Sequence, residues 1–116
     1  MEKINIKIFQ VVGSEVAVSS EKGNEIFEQI DKALENKIMV DVDFINIKIL
    51  TTAFLNSAIG QLYSKYSSKE LIKALRLVNI SDSDLVLIKR VTDRAKEYFA
   101  DKEKVDAIIK EVIEDE

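Results

Sequence analysis

Ile38-Met39-Val40-Asp41-Val42-Asp43-Phe44 is the stretch on which the fold turns. It is rich in β-branched residues and bounded by polar ones, which predicts a central strand over 38–44. Upstream, Ile26, Phe27, Ile30, Ala33 and Leu34 recur at helical spacing, with Ser19 or Ser20 as cap and Asn36-Lys37 as terminator. Downstream, Thr51-Thr52 opens a second helix carrying Phe54, Leu55, Ala58, Ile59, Leu62 and Tyr66 on one side. Ser67-Ser68-Lys69 is expected to end it. Leu75-Arg76-Leu77-Val78-Asn79-Ile80 reads as another strand, and Ser81-Asp82-Ser83-Asp84 then supplies a cap and acidic residues favourable to a helix dipole.

At the start of the chain, Ile4, Ile6 and Ile8 alternate with Asn5 and Lys7, a period of two. The strand is expected to continue through Val12 to Gly13-Ser14, a pair suited to a two-residue hairpin turn, with Val16 and Val18 returning. Strands alternating with helices imply β-α-β crossovers and parallel pairing at the sheet centre. The expected architecture is therefore α/β: a mixed sheet with an N-terminal antiparallel hairpin, parallel central crossovers and helices mainly on one face.

The C-terminal portion admits two readings. Positions 88, 91, 95, 98, 102, 105, 109 and 112 step by threes and fours, which suits one long helix with a coiled-coil seam. The charged run Asp101-Lys102-Glu103-Lys104 argues instead for a break, and a break is the favoured expectation. Residues 1–100 then form one domain. Residues 101–116 form an acidic amphipathic helix whose stripe of Val105, Ile108, Ile109, Val112 and Ile113 packs on the domain or at a homodimer interface.

Composition narrows the chemistry. With 116 residues, 47% hydrophobic and 33% charged, the chain can build one core without staples. It contains neither cysteine nor histidine, which removes disulfide scaffolds, zinc fingers and Ser–His or Cys nucleophiles. The net charge of −4 resides wholly in residues 101–116, which hold 7 acidic and 3 basic residues against 14 of each in residues 1–100. A neutral body with scattered aromatics argues against nucleic acid as a partner. No apolar run suits a membrane span and no basic, apolar leader opens the chain, so a cytoplasmic location is expected.

The segment Val40 to Leu62, with Asp43 at the strand end and Thr51-Thr52-Ala53-Phe54 opening the next helix, resembles the core of STAS domains. These include bacterial anti-sigma-factor antagonists, in which Asp-Ser-Ser-Gly occupies the helix start. The Phe-Leu after the hydroxyl pair and the later Leu-Val-Asn-Ile look closer to small STAS-like families of uncharacterised bacterial and archaeal proteins. The resemblance spans residues 3–99 in element order and is specific over residues 38–62. It implies that Thr52 holds the position that a partner kinase phosphorylates in the antagonists, with Thr51 in place of the preceding Asp. Asp43, Ile47, Ile49, Leu50, Thr51, Thr52, Leu55 and Asn56 would then form the partner-binding surface. The departures are Thr51 for Asp and Phe54 for Gly. On physical grounds alone, Thr52 is expected to be the N-cap of its helix, and the two roles are compatible.

Other residues invite plainer readings. Asp41 and Asp43 share one strand face; a third oxygen ligand for a metal is not placed, so solvated or loop-capping roles are expected. Lys89, Arg90, Arg94 and Lys96 read as the solvated side of a helix. Gly13, Gly23 and Gly60 are too scattered to cradle phosphate. Nothing assembles a nucleophile, base and oxyanion hole, so no enzyme, cofactor or metal is expected. The function expected from the resemblance is a regulatory, protein-binding module whose partner is a kinase-like ATPase or another regulator. The alternative is a small-ligand or nucleotide-binding domain that uses the crevice beyond the strand ends. The apolar loop of Ile45, Ile47, Ile49 and Leu50 must either pack inward, as an extra strand, or await a partner.

Overall fold

The computed structural model describes the backbone of residues 2–114 and the side chains of residues 2–100. The decisive stretch forms β3 (Met39–Asp43), which lies between β1 (Lys3–Lys7) and β5 (Leu75–Val78) in a three-stranded sheet. Both pairings are parallel, with Asn5 level with Asp41 and Asp41 level with Arg76. A smaller parallel pair joins β2 (Val16–Ala17) to β4 (Ile49–Leu50). The interior strand is thus where the sequence places it.

The N-terminal antiparallel hairpin is not formed, because every strand pairing among the described residues is parallel. β1 stops at Lys7, and Ile8–Val12 closes a short helix, α1, that buries Ile8 completely. Gly13 does take the positive φ that its sequence context suggests, at 75°. It uses that conformation to end α1, its N–H donating to the Phe9 carbonyl at 2.9 Å. The chain then enters β2 and pairs with a strand more than thirty residues away instead of folding back on β1.

α2 (Ser20–Glu35) starts at Ser19, whose hydroxyl accepts from the Lys22 N–H. It buries Gly23, Ile26, Ile30 and Ala33. The single helix expected from Thr52 to Tyr66 is divided. α3 (Thr52–Ala58) is followed by a 3₁₀ turn at Gly60–Ser64, and a separate α4 (Ser68–Ala74) follows. Ser67 starts that helix through a capping box with Glu70, so Ser67-Ser68-Lys69 opens an element where the sequence reading ended one.

α5 runs from Asp82 to Glu114 without the break expected at Asp101-Lys102-Glu103-Lys104. Lysine and glutamate are good helix formers, and no proline or glycine interrupts this stretch. Its buried stripe carries Ile88, Val91 and Ala95. The apolar stripe of residues 105–113, with its expected packing, lies outside the described side chains. No helix is long and apolar enough to cross a membrane among the described residues.

The strand order explains why helices cover one side. Both crossovers step in the same direction across the sheet, and a uniform right-handed connection places both on one face. That face presents Ile6, Val40 and Val42, all buried, with α2 packed against β1 and β3 and α3 packed on α2. α3 comes close against α2 at Gly23. A Cβ there would lie 2.4 Å from the Phe54 carbonyl oxygen and 2.9 Å from the Ser57 Cβ. The opposite face carries Lys3, Asn5, Lys7, Asp41 and Arg76.

Candidate functional site

At the end of β3 the chain leaves the sheet through a turn organised by Asp43. Its Oδ1 accepts from the Ile45 N–H at 3.0 Å and from the Asn79 side-chain amide at 2.8 Å. Asn79 follows β5 with a positive φ of 58° and Asn46 sits in the loop at 65°, a conformation that asparagine tolerates better than most residues. Asp43 is buried, so it holds the loops after β3 and β5 together instead of presenting a carboxylate outward.

The loop then runs along the end of β2. Lys48 and Ile49 donate their N–H groups to the Glu15 carbonyl, and Thr51 donates its own to the Ala17 carbonyl. The inward alternative is therefore realised in part, because Ile49-Leu50 is the extra strand β4. Leu50 and Ile47 are half-buried and pack against the core, while Ile49 remains 53% exposed and Ile45 is also exposed.

The two threonines have different jobs. Thr51, not Thr52, is the N-cap of α3, its hydroxyl accepting from the Phe54 N–H at 3.3 Å. The same hydroxyl donates to the Val18 carbonyl at 2.8 Å. Thr52 is the first residue of the helix and is exposed. The sequence expectation is displaced by one position because both residues are threonine and either can cap. Phe54, standing where glycine is usual in STAS domains, is fully buried.

Of the expected partner surface, Ile49, Thr52 and Asn56 are exposed, with Thr51 at its half-buried edge. Leu55 has no exposed surface. It shares the inner stripe of α3 with Phe54 and Ala58, so it belongs to the core and not to a contact surface. Val18, exposed and bonded through its carbonyl to Thr51, lies beside these residues. Sequence reading missed it because nothing local to Val18 reveals that β2 lies beside β4.

Asp41 and Asp43 share a strand face, as expected, but serve separate networks. Arg76 grips Asp41 with two bonds, Nε to Oδ1 at 3.2 Å and Nη2 to Oδ2 at 2.9 Å, and the Lys3 ammonium lies 2.9 Å from Oδ2. Hydrogen bonds from Arg76, and next from Lys3, hold the Asp41 carboxyl below its ordinary range.

A second feature lies away from the strand ends. A cleft of about 450 Å³ is lined by Tyr63, Tyr66, Lys65, Lys96 and Phe99 among others. The Lys96 ammonium stands 5.8 Å from the Tyr63 ring centre. Lys65 is held by Asp31 and Glu35 of α2, and the Tyr66 hydroxyl donates to Asp31 at 2.6 Å.

Residues 22–85, more than half of the chain, match a family model described as a STAS-like domain of unknown function (DUF4325). The matched stretch runs from the first turn of α2 to the first turn of α5 and includes both threonines. Comparison with curated proteins and with solved structures finds no match.

Proposed function

The chain belongs to this family of STAS-like domains, and on that premise we propose that it is a non-enzymatic regulatory module that binds a protein partner through the start of α3. The observation that carries this reading is the setting of Thr52. It is exposed at a helix start, and its neighbours in the chain and across β2–β4 include the exposed apolar residues Ile49 and Val18. An apolar patch around a free hydroxyl suits a contact that phosphorylation would end. A phosphate would add about −1.5 to −2 charge there at neutral pH. Thr51 is a poor acceptor for that phosphate because its hydroxyl already bonds on both sides. A kinase-like ATPase or another regulator of the same pathway is the partner this reading expects, in the cytoplasm.

Mass spectrometry of the chain isolated from its own cells tests the assignment. Phosphate on Thr52 supports it, and phosphate confined to other residues overturns the switch. Thr52→Glu should lose a co-purifying partner that Thr52→Ala keeps.

The cleft beside Tyr63 and Tyr66 favours a second reading, a small anionic ligand with a flat ring. Such a ligand would stack on the tyrosines and meet Lys96. A thermal-shift panel of nucleotides discriminates, because a ligand that binds only the folded state raises the melting temperature. A rise with any nucleotide, abolished by Lys96→Ala, would favour this reading over the first.

A further inference from the structure

The two edges of the three-stranded sheet are built differently. In a parallel strand, alternate residues turn their amide groups to opposite sides. Phe44 donates to the Val78 carbonyl, so Val78 and Arg76 face β3 while Leu75 and Leu77 face outward. The Leu75 N–H is taken by the Leu71 carbonyl at the end of α4. The Leu77 N–H and carbonyl have no partner among the described residues. On β1 the Met39 N–H donates to the Glu2 carbonyl, so Lys3, Asn5 and Lys7 face outward. Lysines along an edge are a usual guard against strand pairing. The β5 edge has no lysine, and its one charged residue, Arg76, is held back on Asp41 by two hydrogen bonds.

Instead it borders an apolar groove of about 120 Å³, lined by Ile72, Leu75, Leu77 and Thr92 among others. Leu85 precedes Thr92 by seven residues and so lies on the same side of α5. Ile72, 77% exposed, lies in α4 just before β5, and Leu85, 53% exposed, lies in the first turn of α5, which begins near the other end of β5. The free edge thus has an uncovered apolar residue at each end.

We propose that this edge pairs with the same edge of a second copy of the chain, antiparallel, about a two-fold axis at Leu77. Such pairing exchanges the free N–H and carbonyl of Leu77 with those of the second copy's Leu77. It sets Arg76 opposite Val78 of the second copy, so the two arginines do not face each other. It also brings Ile72 of each copy to the end of the strand where the other copy holds Leu85, covering both. A parallel neighbour would leave like ends together. The product is a six-stranded sheet whose two outer edges are the lysine-bearing β1 strands, so assembly closes at two copies. This contact is separate from the surface at Thr52 and from the apolar stripe of residues 105–113.

The test uses the full-length chain with Ile72→Glu, Leu85→Lys and the double variant, in sedimentation equilibrium over a wide concentration range. Both positions are exposed, so the variants should fold, which circular dichroism checks. The expected result is a dimer that each single substitution weakens at least about tenfold. The double variant should recover most of that loss, since the two introduced charges are opposite in sign and would face each other across the axis. Hydrogen exchange on the unmodified chain gives an independent reading: the Leu77 amide should be protected in the dimer and released on dilution. A chain that is monomeric throughout overturns the proposal, as does a dimer that ignores both single substitutions while its Leu77 amide exchanges freely.

Discussion

The Thr51 hydroxyl accepts from the Phe54 N–H and donates to the Val18 carbonyl, so one side chain both caps α3 and fastens it to the end of β2. Replacing it with valine keeps the shape and removes both bonds. Thr51→Val should cost about 1–2 kcal/mol, read from the urea midpoint at unchanged slope. Thr51→Ser should retain most of the stability. Thr52→Ala should lie within about 0.5 kcal/mol of the parent, and an equal loss at both positions would contradict the assignment of the cap.

Gly23→Ala is a second test of packing. Alanine favours a helix interior over glycine by about 1 kcal/mol, so on propensity alone the change would stabilise α2. The approach of the Phe54 carbonyl to 2.4 Å from the new Cβ reverses that sign. A net loss of about 1–3 kcal/mol is expected from overpacking, with the melting temperature as the readout.

Acid should act through Asp41. Its carboxyl is held below the ordinary value by Arg76 and Lys3. A carboxylate depressed in the folded state contributes stability above its unfolded value, and the contribution disappears as pH falls through the folded one. The chain should therefore lose stability below about pH 4, and Asp41→Asn should flatten that part of the profile. Added salt should shrink the difference, since Arg76 and Lys3 are both exposed to solvent.

Alkali should act through Tyr66. Burial, and then its hydrogen bond to Asp31, push the phenol up to about 12 from 10.0. Here the folded form holds its proton more tightly, so its contribution is complete below the unfolded value and falls away as pH rises from 10 towards 12. Tyr66→Phe should reduce that decline while leaving the neutral-pH fold intact. Denaturant titrations at several pH values above neutrality would show it.

The parts of the fold that were legible in the sequence are those set by period. Alternation at Ile4 and Ile6, the β-branched run at 39–43 and the helical spacing of Ile26, Ile30 and Ala33 each reappear as the expected element. What misled was punctuation. Gly13 at positive φ serves a hairpin or a helix end equally well, and the choice depends on whether Ile8 finds a core to enter. Ser67-Ser68-Lys69-Glu70 carries a capping box in plain view, but serines also end helices. Pairing partners far apart in sequence left no local trace. Val18 beside Thr51, Asn79 on Asp43 and Arg76 on Asp41 are all separated by more than thirty residues. The threonine pair was located to within one position, and the contact that tells its members apart is one of those distant ones.

The one-sided placement of the crossovers also divides the tolerances of a single strand. At Val40 and Val42 a substitution is a question of volume, because helices fill the space beyond them. At Asp41 it is a question of charge balance between a lysine and an arginine on neighbouring strands. β3 therefore lives under two different selective filters that alternate residue by residue. Saturation mutagenesis read along residues 40–43 should record a sawtooth, apolar preference alternating with preference for an anion, with the period of the pleat itself.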